Sequence, residues 1–229
     1  MMALRGYASG FSDLIGYIND RLPSNEQIGR ALRRQARMYP EIAIRELVAN
    51  AIIHQDFRMR GVSPLVEIFS DRLEITNSGE PLIPTLRFID EPPQSRNEML
   101  ARLMRRLNVC EERGSGIDKV IFEVEYYQLP APEFTASERH TKVIMFAYRK
   151  FTEMDREDRI RACYQHAALL RVSNQIMSNA TLRNRFSIDA HNYSIASRII
   201  SDTIKAGLIK PQDPTNSAPR HAKYLPFWA

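Results

Sequence analysis

Glu46, Asn50 and His54 stand four residues apart in ELVANAIIHQDF, residues 46–57, and the chain around them is apolar. Written as a helix, the three polar groups align along one stripe, while Ile44, Leu47, Val48, Ala51 and Ile52 cover the other side. A helix this apolar belongs in a core, and a polar stripe along it faces either water or a ligand. Pro40 suits the first turn of this helix, and the apolar pattern runs to about Ile53.

The neighbouring segments indicate what such a helix packs against. Residues 9–22 carry Phe11, Leu14, Ile15 and Ile18 at helical spacing and stop before Pro23, whereas residues 25–38 are polar and basic with little periodicity. LVEIFS and RLEITN read as two short strands joined tightly at Ser70-Asp71. Residues 80–95 hold four prolines and no repeat pattern; helix resumes in NEMLARLMRRL, breaks at ERGSG and resumes in IDKVIFEVEYYQL. KVIMFAYR reads as a buried strand. The sum is an α+β fold, with helices layered on one face of a mixed or mostly antiparallel sheet.

Near Phe151 the composition changes. A charged entry leads into a long helix carrying Ile160, Cys163, Ala167 and Leu170, then a short helix in NATLRNRFSI and a longer one from about Ala190 to Ala206. Two short strands, LIK and AKYLPF, close the chain. Three helices and a two-stranded hairpin form the order of a winged helix-turn-helix. The organisation expected is a helical extension over 1–38, an α/β domain over 39–150 and a helix-rich domain over 151–229.

Two cysteines far apart argue against a disulfide framework or zinc site, and the scattered histidines have no ligand spacing. No apolar run approaches the roughly 18 residues that span a bilayer, and no secretory leader is legible, so a cytoplasmic protein without a membrane partner is expected. The net charge of +5 is mild. It gathers in the last quarter, where Ser178–Ala229 carries seven basic residues against three acidic ones. A polyanionic partner is permitted there.

Gly114 and Gly116 stand directly before a helix start, with Ser115 between them and Arg113 beside them. Glycines there let the backbone approach an anion, which the helix N-terminus attracts. The stretch is neither a P-loop nor a nucleophile elbow. Beside it, Asn50 could complete the shell of a magnesium ion bridging phosphates, and Glu46 could accept a proton from a water lined up on the terminal phosphate. Asn77 could offer its amide to a base edge, with Gly79 passing close by. The plainer alternatives are a solvated helix face for Glu46 and Asn50, a hydrogen-bonded structural histidine for His54, and a cap or turn for Asp56.

YPEIAIRELVANAIIHQDF, DRLEITNSGEP, SRNEMLARLM and CEERGSGIDKV, in this order, resemble the Bergerat-fold ATPases. More closely they resemble bacterial and archaeal transcriptional regulators with a RecG-like C-terminal ATP-binding domain. The resemblance covers roughly residues 38–150, and the tail is similar to that family's winged helix. It implies ATP and Mg2+ as cofactors, with Glu46 as general base and Asn50 as metal ligand. Asn77 and Gly79 stand at the adenine, and Gly114, Ser115 and Gly116 at phosphate. His54 and Arg113 join the nucleotide-contacting set, and a mobile lid runs from about Glu80 to Arg113, from which Arg96 and Asn97 reach the nucleotide. Asn77 replaces the family's aspartate, so the base is bound without charge assistance and turnover is expected to be slow or absent. The family commonly carries an N-terminal Schlafen-type AlbA domain, and the first residues here resemble the segment that follows it.

In the tail, double-stranded DNA is the expected partner. His191, Asn192, Ser194, Ser197 and Arg198 would face the major groove, and Arg183, Arg185, Arg220, His221 and Lys223 the phosphates. The expected function is an ATP-binding, DNA-binding transcriptional regulator, with a homo-oligomer left open. The alternatives are a scaffold with a degenerate nucleotide site and a protein-docking tail, and an ATPase acting on nucleic acid in repair or phage defence.

Overall fold

The computed structural model describes residues 6–28, 33–92, 94–109, 116–213 and 222–229. The chain divides into two compact units, one of residues 1–127 and 132–147, the other of residues 128–131 and 148–229.

The first unit runs α1 (Tyr7–Arg21), β1 (Ser24–Ile28), β2 (Arg33–Arg37), α2 (Glu41–His54), β3 (Leu65–Ile68), β4 (Arg72–Ser78), α3 (Glu98–Arg106), α4 (Gly116–Tyr126), β5 (Glu133–Ala136) and β6 (His140–Phe146). Four strands form one sheet in the order β3-β4-β6-β5, and every pairing in it is antiparallel. Of the two sheets expected, mixed or mostly antiparallel, the antiparallel one is found: β3 and β4 pair through the Ser70-Asp71 turn, closed by the Phe69 amide donating to the Arg72 carbonyl at 2.9 Å. The polar stretch before α2 pairs as β1 and β2, Ser24 opposite Arg37 through Ile28 opposite Arg33.

α2 begins one residue later than expected. Pro40 is its extended N-cap, and Glu41 places a carboxylate at the positive helix end. Nine of its residues are buried, including Glu46. Leu73 and Ile75 of β4, with Val143 and Met145 of β6, are buried on one face of the sheet, and Asn77 shares that face by alternation. On the other face the buried Glu74 accepts from Arg72 Nε at 2.6 Å and Lys142 Nζ at 2.5 Å. Those two partners hold its carboxyl below the usual glutamate range.

The proline-rich stretch after β4 is packed along part of its length. Thr85–Arg87 makes one 3-10 turn, Arg87 binds Asp90 and Glu91, and Phe88 meets Phe134 of β5 edge-on at 5.5 Å. β6 lies inside the sheet, as its apolar run suggested, and its burial alternates.

The second unit contains α5 (Arg156–Val172), β7 (Met177–Ser178), α6 (Asn179–Arg185), α7 (Tyr193–Lys205), β8 (Ile209–Pro211) and β9 (Lys223–Pro226), with a three-stranded sheet ordered β7-β9-β8. Asp155 caps α5 by accepting from the Asp158 amide at 2.7 Å, and Ser178 caps α6 reciprocally with Thr181. Its core gathers Cys163, Met177, Leu182, Ala196, Ile199, Ile200 and Ile209. Cys163 Sγ contacts Met177 Sδ at 4.0 Å, and burial pushes its thiol up to about 12.

Candidate functional site

The polar stripe of α2 meets the start of α4. A Cβ built on Gly116 would stand 3.4 Å from Glu46 Oε2 and 3.6 Å from Asn50 Nδ2. Glycine therefore leaves room for the acid and the amide to face the N-terminal turn of α4, where backbone N–H groups are free of helical partners. Glu46 is only 5% exposed. Burial raises its pKa above the ordinary glutamate value; Lys119 and Arg45 pull it down, and Asp118 adds to the rise. Asp118, in the first turn of α4, is itself raised by burial. A carboxylate poised in this way can take up a proton, and the Asn50 amide beside it presents its Nδ2 donor to the same helix end, while its oxygen is the atom able to ligate a hard cation.

One turn on, the stripe reaches a second cluster. His54 is held below its usual pKa, first by burial and then by the Arg96 guanidinium, against a hydrogen bond with the Gln94 backbone. Arg96 also lies over Gly79. A Cβ on that glycine, whose φ is +96°, would meet Asp56 Cβ at 3.0 Å and Arg96 Nη1 at 3.3 Å. The sharp backbone and the missing side chain thus accommodate these two residues. Asp56 is tied to the end of β4 by its amide donating to the Ser78 carbonyl at 2.9 Å, and Arg58 holds its carboxyl down at about 2. Sequence reasoning read Asp56 as a turn residue; only the tertiary bridge to Ser78 places it at Gly79.

Asn77 is buried, and its Nδ2 donates to the Ser78 carbonyl at 3.2 Å. Asn97 takes a different place from the one expected. Its Nδ2 donates to the Ile53 and Gln55 carbonyls at 2.8 and 2.7 Å, which binds it to the C-terminal end of α2. The expected contact from that amide to a nucleotide is replaced by a structural clasp, because two helix-end carbonyls need donors there. Arg113, Gly114 and Ser115 lie outside the described residues. Among the described residues, no cluster of three or more histidine, cysteine or carboxylate side chains is arranged to hold a metal.

In the second unit, α7 buries Ala196, Ile199, Ile200 and Thr203 and exposes Ser194, Ser197 and Arg198, with His191 exposed just before it and Asn192 half-buried. Asn179 Nδ2 donates to Ser197 Oγ at 3.0 Å, and its Oδ1 accepts from Arg183 Nε at 2.9 Å. Lys223 is exposed on β9. Arg185 corrects the expectation of a phosphate contact: it is 4% exposed, and its Nη2 donates to the Leu129 carbonyl at 2.7 Å. Its aliphatic stem and guanidinium are spent inside the unit. Arg220 and His221 lie outside the described residues.

Residues 61–145 match the family described as "Putative ATP-dependent DNA helicase recG C-terminal", an ATPase-like domain. The match takes in Asn77, Gly79, Arg96 and Gly116 and leaves α2 outside. No curated protein matches. The solved structure of the DIP2311 protein from Corynebacterium diphtheriae is similar in fold, with a TM-score of 0.58 and 17% identity over 95% of this chain. This chain spans 45% of the length of that protein. No helix among the described residues is long and apolar enough to cross a membrane.

Proposed function

We propose that the first unit binds ATP with Mg2+ along the Glu46-Asn50-His54 stripe of α2, in the manner of a Bergerat-type ATPase domain, and hydrolyses it slowly. The observation that carries this reading is the convergence of Glu46 and Asn50 on Gly116 at the N-terminus of α4. The triphosphate lies against that helix end, where N–H groups and the dipole favour negative charge. Asn50 would hold a magnesium ion through its amide oxygen, with the amide turned from the orientation in which Nδ2 faces Gly116, and a neutral oxygen ligand suits this cation. Such an ion would supply neutralisation of the charge that develops on the phosphates. Glu46 accepts the proton of a water as its oxygen attacks the γ-phosphorus. The bond to the β–γ bridging oxygen breaks, releasing ADP and phosphate.

The purine lies towards Asn77 and Gly79. Arg96 stands over Gly79, so it must swing aside or stack on the base for the purine to approach. That contact and the uncharged Asn77 favour a second reading, in which nucleotide is a structural ligand that is never turned over, or is not bound at all.

The second unit is proposed to be a winged helix that binds double-stranded DNA. The exposed face of α7, with His191, Ser194, Ser197 and Arg198, lies in the major groove, while Lys223 and Arg183 meet phosphates. The chain is thus read as a DNA-binding transcriptional regulator controlled by nucleotide.

Titration calorimetry with ATP and Mg2+, and with a non-hydrolysable analogue, tests the first part on wild type and Asn50→Ala. Binding by wild type that weakens in the variant supports the reading. An unchanged affinity in Asn50→Ala removes the metal-ligand assignment. Phosphate release by wild type separates the ATPase from the structural-ligand reading.

A further inference from the structure

The chain leaves the first unit after Tyr127, spends Gln128–Ala131 in the second, and returns at Pro132 to form β5. These residues read Gln-Leu-Pro-Ala, followed by Pro132. Each proline fixes its own φ and pushes the residue before it into extended backbone, so Leu-Pro-Ala-Pro is a stiff strap. Leu129 and Ala131 are 4% and 2% exposed.

Two helices of the second unit grip the strap. Arg185, at the end of α6, donates from Nη2 to the Leu129 carbonyl at 2.7 Å. Arg161, on α5, donates from Nε to the Ala131 carbonyl at 3.0 Å. Arg161 also binds the buried Asp158, which accepts from Arg149 Nη1 at 3.1 Å. Gln128 has φ of +54°, a left-handed conformation uncommon for a residue with a side chain. Its Oε1 accepts from Ser187 Oγ at 3.0 Å, so the turn is fastened at its tip.

The strap is continuous with the candidate site through one element. α4 starts at Gly116, against Glu46 and Asn50, and ends at Tyr126, two residues before Gln128. Eleven helical residues make a rod of about 16 Å. Along the chain, Tyr127 alone separates the end of that rod from the strap.

We propose that Arg161 and Arg185 are positioning residues that couple the nucleotide site to the second unit: they hold the strap so that occupancy at the start of α4 changes the stability of α5 and α6. This inference rests on the nucleotide reading above. Coupling of this kind needs an element whose equilibrium both sites bias, and the proposal assigns that part to the chain from Gly116 to Ala131.

Amide hydrogen exchange followed by mass spectrometry tests it on the full chain, with and without Mg2+ and a non-hydrolysable ATP analogue, with calorimetry run on each sample. In wild type, the analogue is expected to slow exchange across residues 156–185 by about fivefold, the low end of typical coupling. In Arg161→Ala and in Gln128→Gly the analogue still binds and the slowing is lost. Gln128→Gly keeps a backbone that adopts the turn readily, so it reports even if Arg161→Ala fails to fold. Binding in wild type with no change at 156–185 overturns the coupling and leaves the nucleotide reading standing. Slowing that persists in both variants overturns the strap as its route. Absence of binding in wild type removes both inferences together.

Discussion

Glu46 Oε2 lies 3.4 Å from the point a Cβ would occupy on Gly116, with Asn50 Nδ2 3.6 Å from the same point. A methyl group there makes ordinary contact with both side chains and sits at the mouth of the helix terminus. Gly116→Ala is therefore expected to separate stability from binding. The helix gains about 0.5–1 kcal/mol from the lost glycine freedom, visible as an unchanged or higher Tm. ATP affinity falls about tenfold, the equivalent of roughly 1.4 kcal/mol, because the methyl group crowds the phosphate. A variant that loses stability and keeps its affinity would contradict this geometry.

Glu46→Gln keeps the shape of the side chain and removes its base. Nucleotide binding should survive, while phosphate release drops by about two to four orders of magnitude. The wild-type rate should rise with pH through the raised pKa of Glu46, above the ordinary glutamate value of about 4.3, since only the ionised carboxylate accepts a proton. Stability runs in the opposite sense. A folded-state pKa above the unfolded one favours the protonated native form, a contribution present in acid and lost as pH rises through the folded value. At neutral pH Glu46→Gln should then unfold at a temperature equal to or above that of wild type, as thermal melts across pH 4–8 would show.

Asn97→Ala removes the donor that clasps the Ile53 and Gln55 carbonyls. The expected cost is about 1–2 kcal/mol, measured by denaturant unfolding. Amides in the last turn of α2 should exchange faster. If Asn97 served a nucleotide only, stability would not change.

Arg185 and Arg198 are both arginines of the helical unit with opposite expected phenotypes. Arg185→Ala strips a buried guanidinium from the Leu129 carbonyl and should cost about 2–3 kcal/mol of stability. Arg198→Ala, on the exposed face of α7, should leave stability within about 0.5 kcal/mol. It should weaken duplex binding and, if Arg198 meets a phosphate, lower the salt dependence by about one. Fluorescence anisotropy over a salt series, paired with melts, reads both.

What the sequence revealed follows from periodicity. The stripe on α2, the Ser70-Asp71 hairpin and the amphipathic α7 are local patterns, and each lies where its spacing put it. Elements that local pattern does not encode were missed. β5 is an edge strand, Glu-Phe-Thr-Ala, recognisable only by its pairing with β6. β7 is two residues long, and β1 and β2 are too polar to alternate. The antiparallel sheet depends on which strands meet, which no single segment states. Among side chains, Asp56 does turn the chain as read, its Oδ1 accepting from the Arg58 amide at 3.0 Å, whereas Arg185 and Asn97 were misread for one reason. A charged or amide side chain looks the same in sequence whether its partner is solvent, a ligand or a distant carbonyl, and here Leu129 and Ile53 supplied the partner.

The sulfur of Cys163, shut in against Met177 with its proton held to about pH 12, is a latent clock. No alkylating or disulfide-exchanging reagent reaches it while the helices around it stay together. With Cys110 replaced by serine, the rate at which such a reagent titrates the remaining thiol would report how often this part of the chain breathes open.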